Sequence, residues 1–316
     1  MGTAVCYGGP INLTQAPRTP DYFCDQSFFN CFNRSKLLTR TEFIAAALAE
    51  DIGPGDYSTL SAIPPGTRGM AVLKIKESGI IAGLSLAQDI FHYLEPEAQF
   101  NLFKQDGDGV MNGELAFEVH ASVHTILQAE RLALNCMQRM SGIATLTHKY
   151  VDKIKGYKTR ILDTRKTTPL FRTFEKEAVR LGGGINHRMG LYDMVMLKDN
   201  HIDFCGGITN AIRQTQEYLK KHNLVLQIVI ETRNLQDVKE VLACGQVDRI
   251  MLDNFHPKDI EEAIEVINGQ FETEASGGIN LENIIDYART GVDFISVGAV
   301  IHHAVSMDLS LKAQLA

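Results

Sequence analysis

The chain has 316 residues, with 31 Lys and Arg against 38 Asp and Glu, so its formal net charge is −7. This acidic balance argues against a general nucleic-acid binder or a binder of anionic membranes, because such proteins concentrate surplus cations. The length allows one large domain or two smaller ones, and no apolar run is long enough to span a bilayer.

Residues 1–35 are rich in Gly, Pro, Asn and Thr without an apolar period, which predicts a loosely ordered tail. The first twenty residues lack the basic start and apolar centre of a secretory signal. Cys6, Cys24 and Cys31 crowd this tail, but no fourth ligand at metal spacing accompanies them. The six cysteines form no CxxC pair, so we expect reduced thiols and a cytoplasmic protein.

An ordered pattern begins at Thr41, where TEFIAAALAEDIGPGD predicts an amphipathic helix that ends at Gly53 and Pro54. Further helical patterns cover residues 85–93 and 125–150. Strand-like runs cover residues 69–75, 78–82, 99–104 and 114–121. Strands grouped with a few helices indicate an α+β unit, to which we assign residues 36–134.

The second half has a different rhythm, in which short β-branched runs are mostly separated by helical patterns. The runs cover residues 160–162, 194–197, 226–230, 250–252, 271–275 and 294–297. This alternation predicts a parallel sheet buried on both faces, and its spacing suits a barrel. A doubly wound open sheet is the competing fold, but no GxGxxG follows a strand here.

In a β/α barrel the active site lies at the carboxyl ends of the strands, and polar residues follow each run here. We predict that they form one rim: Asp163 to Lys166, Lys198 to His201, Glu231, Asp253 and Asn254, Ser276 to Gly278, and Gly298. Residues 158–198 also hold nine Lys and Arg against four acids, which indicates a small anionic ligand in a confined site. We interpret Lys176 and Arg180 as residues of a solvated helix face.

The glycines of ASGGINLENI and SVGAVIH follow the last two runs, where backbone N–H groups of a barrel commonly bind phosphate. We therefore favour a phosphorylated ligand over ordinary turn glycines. Glu231 and Asp253 are candidates to bind ribose hydroxyls or the waters of Mg2+. Alternatively, they form a buried salt bridge to Lys198 or Arg165.

Arg165, Lys166, Arg188 and Lys198, with His187, are candidates to surround carboxylates, because the planar fork of arginine binds a carboxylate through two hydrogen bonds. The run of three glycines at 182–184 ends a helical stretch and is interpreted as a turn, since it lacks the Lys-Ser/Thr of a P-loop. Arg131, on the long helical stretch, is by its spacing alone a surface cation.

Several segments together resemble the quinolinate phosphoribosyltransferase family: ERLALNCMQRMSGIAT, ILDTRKTTPLFR, GGGINHRMGLYDMVMLKDNHI, IMLDNF, EASGGINLENI and ISVGAV. The resemblance covers about residues 36–316. It implies an α/β plus α+β protein with an N-terminal α/β sandwich domain and a C-terminal open or incomplete (β/α) barrel. The sandwich would take residues 36–134 and 305–316, and the barrel residues 135–304.

The resemblance also implies an activity. Members of this family transfer phosphoribose from PRPP to quinolinate with Mg2+, release pyrophosphate and CO2, and form nicotinate mononucleotide for NAD biosynthesis. They work as a homodimer with shared active sites or as a hexamer of dimers. No nucleic-acid or membrane partner is implied.

By motif, the resemblance assigns residues to two substrates. The quinolinate group comprises Arg165, His187, Arg188 and Lys198, with Arg131 supplied by the partner subunit. The PRPP and phosphate group comprises Lys166, Glu231, Asp253, Ser276, Gly277, Gly278 and Gly298. Glu231 and Asp253 would contact Mg2+ through water, and the catalytic residues would be Lys166, Lys198, Glu231 and Asp253.

Three alternatives compete with this interpretation. A nicotinate phosphoribosyltransferase has the same fold but needs one carboxylate site fewer, and the number of cations favours quinolinate. A Schiff-base lyase would use Lys198 or Lys166 as a nucleophile, for which an isolated lysine with apolar flanks is missing. A non-catalytic binding or scaffold protein is the third alternative, and it does not explain the polar residues of the rim.

Overall fold

A computed structural model of the protein describes residues 38–314. The predicted tail and its three cysteines lie outside this range. The helices are α1 (Arg40–Ile52), α2 (Tyr57–Ala62), α3 (Leu84–Leu94), α4 (Val123–Lys153), α5 (Arg172–Leu181), α6 (Asp199–Cys205), α7 (Ile208–His222), α8 (Leu235–Cys244), α9 (Pro257–Ile267), α10 (Ile284–Arg289) and α11 (Ala299–His302). The strands are β1 (Arg68–Ile75), β2 (Gly79–Ile80), β3 (Gln99–Leu102), β4 (Gly109–Val110), β5 (Leu115–Ser122), β6 (Arg160–Leu162), β7 (Val195–Leu197), β8 (Ile228–Thr232), β9 (Arg249–Asp253), β10 (Glu272–Ser276), β11 (Phe294–Ser296) and β12 (Leu309–Gln314).

The first half forms a four-stranded sheet in the order β12-β1-β5-β3. Each pair in it is antiparallel, and the last of the described strands, β12, lies beside the first, β1, with Leu73 opposite Leu311 and Ile75 opposite Leu309. These four side chains are buried. The sheet therefore buries an apolar face against α3 and α4, as an antiparallel sheet with one covered face does.

Helix α4 connects the first half to the second. Its N-terminus is capped by Ser122, whose hydroxyl accepts a hydrogen bond from Thr125 N at 3.0 Å. Its apolar face packs into the core through residues such as Ala133, Met137 and Ala144. Since α4 continues through residues 134 and 135, the domain limits assigned from the sequence fall inside a helix, and they stay a prediction.

The second half forms a six-stranded parallel sheet in the order β6-β11-β10-β9-β8-β7. Strands β6 and β7 lie at its two edges, and Ile185 makes a parallel bridge to Leu162 of β6. The segment that carries His187 and Arg188 thus lies beside this edge. The arrangement confirms the predicted open barrel with helices between its strands.

Among residues 38–314, no helix is both long and apolar enough to cross a membrane. Cys136, Cys205 and Cys244 are free thiols. The run of glycines after α5 is a turn, as predicted, in which Gly183 N and Gly184 N donate to Arg180 O and Val179 O at 2.9 and 3.0 Å.

Candidate active site

A cavity of about 930 Å³ opens at the carboxyl ends of the parallel strands. The residues that the family resemblance assigns to the two substrates line it, except Arg131: Arg165, Lys166, His187, Arg188, Lys198, Glu231, Asp253, Ser276, Gly277, Gly278 and Gly298. Of the other residues predicted on the rim, Asp163, Asn200 and His201 do not line it. The strand ends therefore bring together residues that are up to 133 positions apart in the chain, as expected for a barrel.

Two arginines form the cationic wall of the cavity. Arg188 is buried, and its Nη1 donates to Met194 O at 3.3 Å. Burial and the neighbouring charge of Arg165 lower the pKa of Arg188, and Asp193 and Glu231 offset this only in part. Arg165 Nε is buried and has no hydrogen-bond partner among the described residues. Two adjacent guanidinium groups with unused donors favour an anion between them.

Acidic residues lie at the carboxyl ends of two adjacent strands, β8 and β9. Glu231 on β8 accepts a hydrogen bond from Lys198 Nζ, and its second oxygen accepts from Asp199 N at 3.2 Å. Asp253 ends the adjacent strand β9 and accepts from Asn254 Nδ2 at 2.8 Å. The salt bridge that the sequence left open thus exists between Glu231 and Lys198.

The described residues contain no cluster of three or more His, Cys, Asp or Glu able to hold a metal ion alone. Two carboxylates on adjacent strand ends nevertheless suit Mg2+, which prefers oxygen ligands and commonly enters with substrate phosphates and several waters. Asp253 and Glu231 therefore fit a Mg2+ ion that is bound chiefly through a phosphorylated substrate.

The glycine loop after β10 is shaped for close backbone approach. Gly277 and Gly278 have φ of +98° and +62°, which other residues rarely adopt. A Cβ on Gly277 would lie 2.2 Å from Asn254 Oδ1, whereas a Cβ on Gly278 would point into open space. A side chain larger than hydrogen is therefore excluded at Gly277, whereas the backbone at Gly278 stays open to a ligand.

Lys166 and His302 lie near Gly298, and Lys166 adds positive charge there. The stem of Lys166 approaches Gly298, where a Cβ would lie 3.0 Å from Lys166 Cδ. His302, which follows Gly298 by one helical turn, also lines the cavity. Burial, His303 and Lys166 lower the pKa of His302. Sequence reasoning missed His302 and His303, although they stand in the same SVGAVIHH segment as Gly298.

His187 is held by contacts on all sides. Its backbone N donates to Asp163 Oδ1 at 2.8 Å, and its carbonyl oxygen accepts from Lys176 Nζ at 3.0 Å. Its Nδ1 accepts from Arg188 N at 2.7 Å, and its Nε2 lies 3.3 Å from Glu274 Oε2. Both ring nitrogens therefore face protein groups.

Two predictions from the sequence are wrong. Lys176 is 1% exposed instead of solvated, and Asp163 is 0% exposed beneath the rim instead of on it. The two form a buried ion pair, because α5 turns Lys176 inward beside Ala178 and Val179. Burial lowers the pKa of Lys176 and raises that of Asp163, each against the stabilising charge of its partner. Arg180 is exposed, as predicted.

Two further functional candidates were missed by sequence reasoning. Glu274 and Arg249 lie inside the barrel, and Glu274 lines the cavity. The available signal was a pair of acids spaced by two in the strand FETEAS, which places Glu272 and Glu274 on the same side of a strand.

Arg131 lies away from the cavity of its own chain. It is exposed on α4, and no ion pair or hydrogen bond joins it to the described part of the chain.

The protein is an open parallel barrel with cations, paired acids and a glycine loop in one cavity. These features define an enzyme that acts on anionic, phosphorylated substrates. The family models described as quinolinate phosphoribosyl transferase N-terminal and C-terminal domains match residues 56–141 and 143–312. The chain belongs to the quinolinate phosphoribosyltransferase family.

Relatives and solved structures agree with this assignment. The chain is 46% identical over 284 residues to the chloroplastic nicotinate-nucleotide pyrophosphorylase [carboxylating] of Arabidopsis thaliana, covering 85% of this chain and 81% of that protein. It is 44% identical to a probable enzyme of the same name from Synechocystis, covering 84% and 89%. The crystal structure of NadC from Streptococcus pyogenes superposes with a TM-score of 0.82 at 40% identity, covering 86% and 94%.

Proposed function

We propose that this cavity carries out the reaction of its family, the transfer of phosphoribose from PRPP to quinolinate with decarboxylation to nicotinate mononucleotide, pyrophosphate and CO2. The observation that carries the proposal is the pair of adjacent guanidinium groups, Arg165 and Arg188, in the same cavity as the Gly277–Gly278 loop. A dicarboxylate and a phosphate are the ligands that these two groups complement.

The cationic wall binds and orients quinolinate. Quinolinate and PRPP are both polyanions, so their mutual repulsion has to be offset by fixed positive charge. Arg165 and Arg188 supply that charge, and His187 and Lys198 border the same wall. Their fixed positions hold the ring nitrogen towards the anomeric carbon, and such positioning supplies a large share of catalysis in a reaction between two bound substrates.

The opposite wall binds PRPP. Backbone N–H groups of Gly277, Gly278 and Gly298, with Ser276 and Lys166, take the 5-phosphate. Glu231 and Asp253 line the same cavity, and we assign them to contact with the ribose. Mg2+ bound with the pyrophosphate group would neutralise the leaving oxygens, and Asp253 with Glu231 would hold it through water.

The reaction then proceeds in two steps. The ring nitrogen forms a bond to the anomeric carbon while the bond to pyrophosphate breaks, and pyrophosphate leaves with the electron pair. The carboxylates of Glu231 and Asp253 stabilise the positive charge on the ribose. The pyridinium then accepts the electrons of the breaking C2–carboxylate bond, CO2 leaves, and C2 takes a proton.

Lys198 is our candidate for delivery of that proton. Its Nζ donates a hydrogen bond to Glu231, and the carboxylate of Glu231 is close enough to Arg188 of the quinolinate wall to interact with it electrostatically. Lys166 instead packs its stem against Gly298 at the phosphate end. We assign Lys198 to proton transfer at C2 and Lys166 to PRPP.

We further propose a homodimer with shared active sites, alone or within a hexamer, in which Arg131 of one subunit completes the quinolinate wall of another. The support is that Arg131 is exposed and outside its own cavity. We also propose a cytoplasmic location, for which the free thiols of Cys136, Cys205 and Cys244 are the support. Some relatives carry the names chloroplastic or mitochondrial, so microscopy of the full chain with a C-terminal fluorescent tag tests this point.

An omission assay tests the activity. The protein is incubated with quinolinate, PRPP and Mg2+, and nicotinate mononucleotide and CO2 are measured with each component left out in turn. We expect both products only in the complete mixture. Product from nicotinate in place of quinolinate, without release of CO2, would contradict the proposed substrate.

A further inference from the structure

Glu274 is a fully buried acid that the proposed reaction does not use. It lies on β10 inside the barrel, with 0% of its surface exposed. Its carboxylate accepts hydrogen bonds from Ser296 Oγ and, at 3.0 Å, from Arg249 Nη1, and its Oε2 lies 3.3 Å from His187 Nε2. Burial opposes its ionisation, but these donors outweigh burial and lower the pKa of Glu274. It therefore stays a carboxylate at neutral pH.

The contact between Arg188 and His187 decides the tautomer of the histidine. Nδ1 of His187 accepts the backbone N–H of Arg188 at 2.7 Å, so this nitrogen carries no proton. In a neutral imidazole the single ring proton then lies on Nε2, which is the nitrogen that faces Glu274. The negative charge of Glu274 favours a proton on Nε2, because its Oε2 lies 3.3 Å away. The contact is electrostatic, since the buried Nε2 has no hydrogen-bond partner among the described residues.

Arg249 holds Glu274 from the side away from the cavity. Its Nε and Nη2 donate to Glu272 Oε2 at 3.1 and 2.8 Å, and its guanidinium lies 4.1 Å from the ring centroid of Phe294. A chain of alternating charges thus extends from the half-exposed Glu272 through the barrel to the ring of His187. Such a network fixes side chains when every member has a partner.

We propose that Glu274 is a positioning residue, which fixes His187 as the tautomer with its proton on Nε2 and thereby holds the Arg188 backbone for the dicarboxylate. The proposal rests on the proposed function, since the quinolinate wall is the group that it positions. His187 acts here as part of a support for Arg188, because its Nδ1 accepts the Arg188 backbone N–H and its Nε2 faces the charge of Glu274.

Kinetics of two matched variants test the effect on the substrate. Glu274→Gln keeps the shape of the side chain but removes the charge next to His187. Glu272→Gln removes the other acidic partner of Arg249 and leaves His187 untouched. For Glu274→Gln we expect KM for quinolinate to rise about tenfold or more, the order expected when a buried charge contact is lost, while KM for PRPP stays near its original value. Glu272→Gln should leave both constants near those of the unaltered protein.

Nitrogen-15 NMR of the histidine rings tests the tautomer in the absence of substrate. The signals of His187 are assigned by their loss in His187→Gln. We expect Nε2–H in the unaltered protein and a mixture of tautomers in Glu274→Gln. A proton on Nδ1 in the unaltered protein would overturn the proposal even if Glu274→Gln fails to fold. Equal rises of both KM values, or the same rise of KM for quinolinate in Glu272→Gln, would also overturn it. Failure of the unaltered protein to form nicotinate mononucleotide would instead contradict the proposed function.

Discussion

The two sheets of this protein are stabilised in different ways. Within residues 38–159, the buried polar side chains are uncharged threonines and serines, such as Thr125 and Ser141, and the antiparallel sheet packs through apolar groups. In the described residues beyond 159, eight charged or imidazole side chains are buried: Asp163, Glu175, Lys176, His187, Arg188, Glu231, Arg249 and Glu274. A buried charge is costly unless it is paired. The region that holds the cavity therefore carries the desolvation cost of buried charges, which is absent from residues 38–159.

The buried charges also differ among themselves. Lys176 with Asp163, and Arg249 with Glu274, are paired within the protein. Arg188 and Arg165 instead lie beside each other as like charges. Paired charges fix the positions of the loops around the cavity, whereas unpaired charges are available to bind a ligand of opposite charge. This contrast separates structural residues from binding residues.

The largest effect on folding should come from breaking a paired charge. Lys176→Met would leave Asp163 buried without its partner, and we expect the free energy of unfolding to fall by about 3–5 kcal/mol. Urea denaturation measures the change, and adding Asp163→Asn should recover much of the loss. Leu73→Ala serves as the comparison in the apolar sheet, with an expected loss of about 2–5 kcal/mol. A loss below about 1 kcal/mol for Lys176→Met would erase the contrast between the two regions.

An unpaired charge should show the opposite behaviour. We expect Arg188→Ala to weaken quinolinate binding by about a hundredfold or more, because a bidentate ionic contact is lost. PRPP binding and the free energy of unfolding should change little, since the repulsion from Arg165 disappears together with the side chain. Binding calorimetry with each substrate measures this, and the exposed Arg180→Ala is the control. Equal losses for both substrates would count against a quinolinate site.

In the proposed homodimer Arg131 would join the two regions, because it lies on α4 and would serve the barrel of a partner. Arg131→Ala and Arg188→Ala should each be nearly inactive alone. Mixed after subunit exchange, they should recover up to about a quarter of the activity, since half of the dimers are hybrids with one intact site. Activity of mixtures at several ratios measures the recovery, and the absence of recovery despite proven exchange would contradict the shared site.

The smallest effect concerns a surface charge in the apolar region. Burial opposes ionisation of Glu95, but hydrogen bonds from Ser122 N at 2.9 Å, Thr125 and Arg68 outweigh it and lower its pKa from 4.5 to about 2. The contribution of Glu95 to stability is therefore complete above about pH 4.5 and is lost as the pH falls towards 2.

Glu95→Gln should cost about 1 kcal/mol at neutral pH, a value reduced by the solvent exposure of Arg68. Urea denaturation at neutral pH and at successively lower pH should show the difference from the unaltered protein shrinking. Glu97→Gln, at an exposed position, is the matched control. If the difference in unfolding free energy between Glu95→Gln and the unaltered protein does not depend on pH, the ionisation of Glu95 is not its cause.

The sequence predicts the strands of the barrel and the polar residues at their ends, because parallel strands buried on both faces are short apolar runs and their ends have to meet at one edge. Short elements such as β4 and α6 escape prediction, since two to seven residues show no clear period. The inward Lys176 and Glu274 escape it too, because a charged residue is assigned to the surface unless its buried partner is known, and Asp163 and Arg249 are distant in the chain.

The position of β12 has a consequence for the order of synthesis. The sheet formed by residues 68–122 receives its edge strand from residues 309–314, which are translated after the whole barrel. Until those residues leave the ribosome, β1 keeps an unpaired edge, and unpaired edges are sites of aggregation in nascent chains. Truncation of the last eight residues, 309–316, would leave that edge open permanently, so expression of this protein should tolerate added residues at the C-terminus far better than missing ones.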